Sequence, residues 1–507
     1  MTADSDADRG VSARRYRFPP LVRAGVFGSL SALQAVVLAA GGGLTFVLLL
    51  SRVFPYGLAP AAVAAVLAFK RVGGLELAEW LPARVGFWRR RQARRWFRPI
   101  PLLGSNHDHP VPLPAQLDGL ELFDVDANWI TGHARISGFG VIVDRAHATV
   151  SAVLRVAGDG QFALATAPEQ DHRVSGWGVA LAGFCREHSP VTCIGWQEWC
   201  TTTPPPHTPP QAAVTVVGPP VDGVLLARDA YQDLLERVAP CEVRHEVLVT
   251  VTVDLSRLRA RRRQSVSQLA AGFAALSDEV RLFTARLEAA GLRVDRPLTA
   301  VEITIATRTR SHPPAGPLTA RYLTTLAEAV GVSAGELAPM AIEEEWGHCR
   351  VDGSIHRTWW VAGWPRLDVP AAWMDLLLLA GTVTRTITVV FEPVAPSTAA
   401  NEVEQAATAL DAAEATKTRH GFRVRAVDQR KKQEIAAREQ ELVAGYGDLA
   451  YSGFVHITAG DLDTLDDGSA DIEQTAAHAG VLLRPLDGRH GAGWVAGLPL
   501  GRTLTTR

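Results

Sequence analysis

The densest chemically capable cluster in the chain is Glu343-Glu344-Glu345, followed closely by His348 and Cys349. Carboxylates beside an imidazole and a thiol are the groups of general acid–base and nucleophilic chemistry. Three successive carboxylates more often form a solvated acidic face, and that reading stays open beside the catalytic one. His107-Asp108-His109 offers metal donors, but it lies in a Pro-rich stretch with no further ligand nearby. A P-loop needs Gly-Lys so that backbone amides and an ammonium grip phosphate. None of the four lysines, Lys70, Lys417, Lys431 and Lys432, follows a glycine, so that motif is absent. Neither G-x-S-x-G nor H-E-x-x-H occurs. Gly488, Gly491 and Gly493 lack the strand–helix context of a dinucleotide fold and read as a loop. The cysteines, Cys185, Cys193, Cys200, Cys241 and Cys349, form no C-x-x-C pair, so reduced thiols are expected rather than a disulfide frame or zinc ribbon. The expectation is therefore no enzyme: no catalytic residue, no metal and no cofactor.

The apolar and charge patterns are more informative. Residues 24–51 carry no charge, and a second uncharged run covers 53–69. A helix through the first run reaches roughly 42 Å, beyond the ~30 Å of a bilayer core. Gly41, Gly42 and Gly43 permit close helix approach, and Pro55 and Gly57 suit a turn between two spans. Residues 1–100 hold 15 Lys and Arg against 5 Asp and Glu, a net +10; with −2 overall, the remainder carries −12. Arginines flank both outer ends of the pair and only Arg52 lies between the runs, which places both termini in the cytoplasm, on the membrane's inner face. Residues 73–99 then read as a basic interfacial helix. Trp80, Arg84, Trp88, Arg89, Arg90, Arg91, Arg94, Arg95 and Trp96 are its expected contacts with anionic lipid headgroups. The same mixture of Arg and Trp is compatible with nucleic acid, a minority reading.

Beyond a Pro-rich stretch at 102–114 the pattern is α+β. Strands are expected at 140–143, 149–156, 161–165 and 191–198, with a helix at 169–188. Further on, strands are expected at 246–255 and 301–307 around a helix at 263–290 that ends on Gly291. The last third predicts strands at 355–362, 383–391, 452–458 and 481–486, helices at 370–380 and 469–479, and a sparse, charged helical pair over 397–446. Strands alternating with single helices in short blocks predict ferredoxin-like α+β units behind a two-helix transmembrane hairpin. The implied division is a basic tail 1–23, a membrane region 24–100, and α+β units at 101–210, 211–330 and 331–507.

Several short stretches also carry a resemblance. Tyr16-Arg17-Phe18-Pro19-Pro20-Leu21, the two apolar runs, and Gly74-Leu75-Glu76-Leu77-Ala78-Glu79-Trp80-Leu81-Pro82 resemble PrgI-like membrane proteins of Gram-positive conjugation systems. Ala152-Val153-Leu154-Arg155-Val156, the helix from Glu169-Gln170 to Trp177, His245-Glu246-Val247-Leu248-Val249, Ser452-Gly453-Phe454 and Leu498-Pro499-Leu500-Gly501 resemble the amino-terminal region of type IV secretion (CagE/TraC-like) ATPases. The whole looks like an actinobacterial family of integrative-element proteins fusing the two. The resemblance implies a scaffold in an oligomeric transfer apparatus, with membrane proteins and a separate ATPase as partners; without a P-loop, ATP hydrolysis does not carry over. An EccE-like component of a type VII secretion system is the alternative.

Overall fold

The computed structural model describes residues 32–50, 58–72, 75–89, 94–98, 113–125, 138–158, 162–201, 244–258, 268–330, 333–365, 367, 369–379, 383–419, 423 and 426–504. His107-Asp108-His109, Arg90 and Arg91 lie outside them.

Helices α1 (Ala32–Leu50) and α2 (Ala59–Phe69) form an antiparallel pair. Their contact is close: a Cβ added at Gly41 would sit 2.2 Å from the Ala64 Cβ. Gln34 Nε2 donates to the Ala68 carbonyl at 2.9 Å, and the Ala61 amide donates to Thr45 Oγ1 at 3.0 Å. At 1.5 Å per residue the two helices measure roughly 28 and 16 Å. No helix among the described residues is long and apolar enough to cross a membrane. A short β1–β2 ladder (Arg71–Val72, Leu75–Glu76) then leads into α3 (Leu77–Arg89), which contains Pro82.

The rest is a mixed α+β body on one 13-stranded antiparallel sheet. Its strands are β3 (Arg95–Phe97), β4 (Leu120–Val125), β5 (Phe139–Asp144), β6 (Thr149–Ala157), β7 (Val191–Thr201), β8 (Arg244–Asp254), β9 (Arg293–Pro297), β10 (Ala341–Glu344), β11 (Cys349–Val351), β12 (Ser354–Gly363), β13 (Thr384–Val394), β14 (Asp448–Ala459) and β15 (Leu482–Pro485). The helices of the body are α4 (Ala167–Ala182), α5 (Leu255–Leu258), α6 (Gln268–Ala289), α7 (Ala300–Ser311), α8 (Gly316–Val330), α9 (Asp375–Leu379), α10 (Pro396–Arg419), α11 (Ala426–Val443), α12 (Leu462–His478) and α13 (His490–Ala496).

Strand pairing reveals an internal repeat that the sequence reading did not anticipate. In the first unit β9 pairs β6, β6 pairs β8 and β8 pairs β7; in the second, β15 pairs β12, β12 pairs β14 and β14 pairs β13. Each is a β-α-β-β-α-β run with its strands in the order 4-1-3-2. The units join through β7 and β13, whose ladder runs from Ile194↔Phe391 to Cys200↔Arg385 with Gln197↔Thr388 at its centre. An antiparallel ladder centred on equivalent residues is a local two-fold axis. The repeat extends to the chain's turns. Ala290-Gly291-Leu292 before β9 matches Ala479-Gly480-Val481 before β15, with Gly291 and Gly480 at φ +80 and +74, a conformation that favours glycine at a helix end. Arg296-Pro297-Leu298 likewise matches Arg484-Pro485-Leu486, and the amides of Leu298 and Leu486 donate to Val153 and Thr358 on equivalent strands.

Two expected strands are replaced. Residues 162–164 form a 3-10 turn. The β-branched run after Ala300 is α7, because Thr299 and Glu302 form a reciprocal capping box that fixes a helix start. The glycine-rich stretch expected as a loop holds α13. The pairing of β7 with β8 also carries the sheet across the expected boundary at 210/211.

Strand alternation divides the core. On one face Val150, Ala152, Leu154, Val249, Val251 and Val253 pack with Phe184, Phe273 and Phe283 of the α4–α6 layer. Ile355, Trp359, Val455 and Ile457 do the same against Leu465 and Ile472 of α12. On the other face Val153 and Leu248 of the first unit share one cluster with Ile303 of α7 and with Ile342, Cys349 and Trp494 from the β10, β11 and α13 elements that flank the second unit. The helical pair expected over 397–446 is α10–α11, inserted between β13 and β14.

Candidate functional site

Nine residues were expected at a membrane interface, and the structure divides them. Strand β3 joins the sheet at β10, with Trp96 opposite Ile342 and Arg95 opposite Glu343. Arg95 and Glu343 form an ion pair, and Trp96 packs on the shared core. Arg98 adds a 3.0 Å bond to Glu336. Trp346, in the turn between β10 and β11, is the platform for α3: Trp80 and Phe87 meet it edge-on at 6.0 and 5.4 Å, and the Arg84 guanidinium lies 4.3 Å from its centroid. Arg94 stacks 4.3 Å over Phe87. A stacked cation of this kind contributes about 0.5–1 kcal/mol where solvent reaches it. Trp80, Arg84, Arg94, Arg95 and Trp96, all expected at the membrane interface, contact the body or its docked helix. Trp88, 71% exposed, and Arg89 remain on the open face.

The acidic cluster serves this joint. Glu344 Oε1 accepts the Gly491 amide at 3.0 Å, and its own amide donates to the Arg94 carbonyl at 2.8 Å. The Glu345 amide donates to the His348 carbonyl. Cys349 is fully buried in the shared core, and burial raises its thiol pKa well above the ordinary value. A neutral thiol enclosed by apolar side chains is not an activated nucleophile.

Three further polar groups were invisible in sequence because their members are far apart in the chain. Glu198, Cys200 and His245 converge on the β7–β8 ladder, at the end of β7 that pairs with β13. His245 Nδ1 lies 2.8 Å from Glu198 Oε1 and 3.2 Å from Cys200 Sγ. Burial pushes the Cys200 thiol up to about 12, the Glu198 charge adds to that, and Arg385 pulls against it. One imidazole nitrogen serves both neighbours, which is not the relay of a nucleophile–base–orienter triad, where the two nitrogens divide the roles.

On the opposite face the second unit buries a histidine chain. His356 Nε2 lies 2.9 Å from the Ser311 carbonyl, which only accepts, so Nε2 carries the proton. His356 Nδ1 then accepts from His456 Nε2 at 3.0 Å, and His456 Nδ1 accepts from the Thr358 hydroxyl at 2.8 Å. Burial depresses the pKa of His356 to about 3 and that of His456 well below its ordinary value. The chain is satisfied only when both rings are neutral. In the first unit Arg310, 3% exposed, meets Glu246 at 2.8 Å, and Arg155 meets the same carboxylate at 2.9 Å. Burial alone would raise the Glu246 pKa, but the two guanidinium groups outweigh it and hold the carboxylate ionised.

A cavity of about 890 Å³ opens at the other end of the seam. Its arginines are committed: Arg186 to Glu279, Arg257 to the Ser189 and Val191 carbonyls, and Arg502 to Asp144 at 2.6 Å. No protein-family model matches the chain, and no curated protein matches it.

Proposed function

We propose that the chain is a membrane-anchored, non-catalytic scaffold of a conjugative, type IV secretion-like transfer apparatus, built on two ferredoxin-like units and docking a separate ATPase. The observation that carries the membrane part is the inverted polarity of α1–α2. Gln34 and Thr45 are buried between the helices, whereas Val36, Leu44, Phe46, Val47, Leu50, Val63, Val66 and Phe69 are all more than half exposed. A water-facing hairpin would cost too much in exposed apolar surface; a lipid-facing one satisfies both patterns. The runs on either side of α1 extend the uncharged segment to 24–51, long enough for a span.

The β3–β10 ladder supports the scaffold part, because it couples the anchor to the body through backbone hydrogen bonds. The docking surface for the ATPase is the α10–α11 arm. It buries only Ala399 and Val403 in α10, and its helices are cross-tied by charge: Lys417 to Asp428 at 2.7 Å, and Lys432 to Asp411 and Glu414 at 2.8 and 3.1 Å. Lysines are otherwise confined to Lys70, so the arm differs in surface chemistry from the Arg-rich remainder.

The test is fractionation followed by capture. The chain stays with membranes after a high-salt wash, and in mild detergent it retains a P-loop ATPase from its host. Replacing 396–443 by a short Gly/Ser linker keeps the membrane association and loses the ATPase. Recovery in the soluble fraction would refute the anchor, and undiminished capture without the arm would refute the docking surface.

A further inference from the structure

We propose that Glu198, Cys200 and His245 form a binding site for one thiophilic divalent cation of the zinc class, clamping the base of the 202–243 connection.

The donor set is one thiol, one imidazole and one carboxylate, whose ligand atoms all lie within 4.8 Å of one another. Zinc binds sulfur at ~2.3 Å and nitrogen or oxygen at ~2.0–2.2 Å, so neighbouring ligands around a tetrahedral ion stand roughly 3.3–3.6 Å apart. The separations here are 3.2 Å for sulfur to nitrogen, 2.8 Å for nitrogen to oxygen and 4.0 Å for sulfur to oxygen. Side-chain movements of about half an ångström convert this set into a chelate. The backbone already fixes it. Cys200 and His245 are paired residues across the β7–β8 ladder, and Glu198 is two residues back on the same face of β7.

A second observation points to an anionic sulfur at this place. Arg385, opposite Cys200 across the seam, is 1% exposed, and its Nε and Nη1 have no hydrogen-bond partner. Its Nη2 donates to the Leu378 carbonyl, which also lies 3.6 Å from Cys200 Sγ. Two buried guanidinium nitrogens left without an acceptor are costly. A thiolate at Cys200 would supply the missing acceptor, and a bound cation is what makes that thiolate stable in a buried position. The charges then close locally. The two positive charges of the cation meet the Cys200 thiolate and the Glu198 carboxylate, which leaves no unmatched anion beside Arg385.

Binding is an acid–base exchange. The cation takes the Cys200 sulfur lone pair and the thiol proton leaves to solvent. The His245 Nδ1 lone pair becomes a ligand, with the ring's proton held on Nε2, and Glu198 coordinates as carboxylate. Cys200 and His245 also stand at the two ends of the 202–243 connection, so the site would tie the ends of that connection together.

The experiment uses the full chain purified in detergent, stripped with a chelator and titrated with Co²⁺, then Zn²⁺. One equivalent of Co²⁺ should give a thiolate-to-cobalt charge-transfer band with the visible bands of a four-coordinate ion, and Zn²⁺ should displace it. Cys200→Ser should abolish the charge-transfer band, His245→Ala should weaken binding severely, and Glu198→Gln should weaken it at least about tenfold. Cys349→Ser should leave the titration unchanged. A wild-type chain that gives no charge-transfer band overturns the proposal without any variant, and so does a band that survives Cys200→Ser. Neither outcome bears on membrane anchoring or ATPase capture, which the site does not require.

Discussion

The two β-α-β-β-α-β units share strand order, turn residues and a two-fold seam, yet they bury different chemistry at equivalent places. In the first, Ser151 and Thr252 meet across β6 and β8 at 2.9 Å. The positions that correspond in the second, His356 and Thr458, meet across β12 and β14 at 3.1 Å. One cross-strand bond is therefore kept while a hydroxyl on one side becomes an imidazole. The first unit instead places its charge on Arg155, Glu246 and Arg310. The seam diverges in the same way: Cys200 and Arg385 stand at one end, while Ile194 and Phe391, which the two-fold relates to them, are apolar. A duplicated framework fixes where a side chain points and leaves its ionisation free to change.

The comparison breaks most readily in the core. Trp359→Ala removes a fully buried indole whose Nε1 donates to Glu473 at 3.0 Å, and should cost about 3–5 kcal/mol. Leu154→Ala, at the matching position, should cost about 2–5 kcal/mol. Because Cys193 of β7 packs in one apolar cluster with Val390 of β13 and Phe454 of β14, each change should lower a single unfolding transition of the full chain in detergent. Two separate transitions would show that the units are energetically independent.

Acid should then separate the units. His356 and His456 are neutral in the folded chain, with pKa values depressed by burial, while in the unfolded chain they take up protons below about pH 6.5. Their stabilising contribution is thus fully present above pH 6.5 and lost as pH falls, in the case of His356 toward its depressed value near 3. The loss from His356 alone should reach on the order of 3 kcal/mol by pH 4. His356→Ser, which copies the first unit, should flatten the pH dependence of denaturation between pH 6.5 and 4. An unchanged slope would mean that the ring is not buried neutral.

A smaller effect is expected in the first unit, where Glu246→Gln strands Arg310 without its charged acceptor. Equilibrium unfolding should register about 1.5–3 kcal/mol, discounted for the partial exposure of Glu246. The smallest belongs to the arm: Lys432→Ala, at a solvent-exposed pair, should leave the melting temperature unmoved.

Much of the element content could be read from sequence. The alternating run 246–255 became β8, Gly291 ended α6, and the charged, sparsely apolar stretch became the α10–α11 pair. The hidden parts were those set by distance along the chain. β-branched residues after Ala300 favoured a strand until the Thr299 cap and the α7 packing surface were taken together. The repeat was obscured because its match is mainly in register and turn geometry, and side chains such as Ser151 and His356 differ in kind. Glu198 and Cys200 lie on the far side of the 202–243 connection from His245, so no local spacing could join them. Trp346 had no visible role until α3 packed on it.

The seam also has a consequence for how the chain can be dissected. Each half would, alone, present an 11-residue strand as a bare edge, β7 in one case and β13 in the other. Within the intact protein those two edges cap each other. Cutting between the halves uncovers two mutually adhesive ribbons, so severed fragments should cling to one another or aggregate before they behave as tidy separate domains.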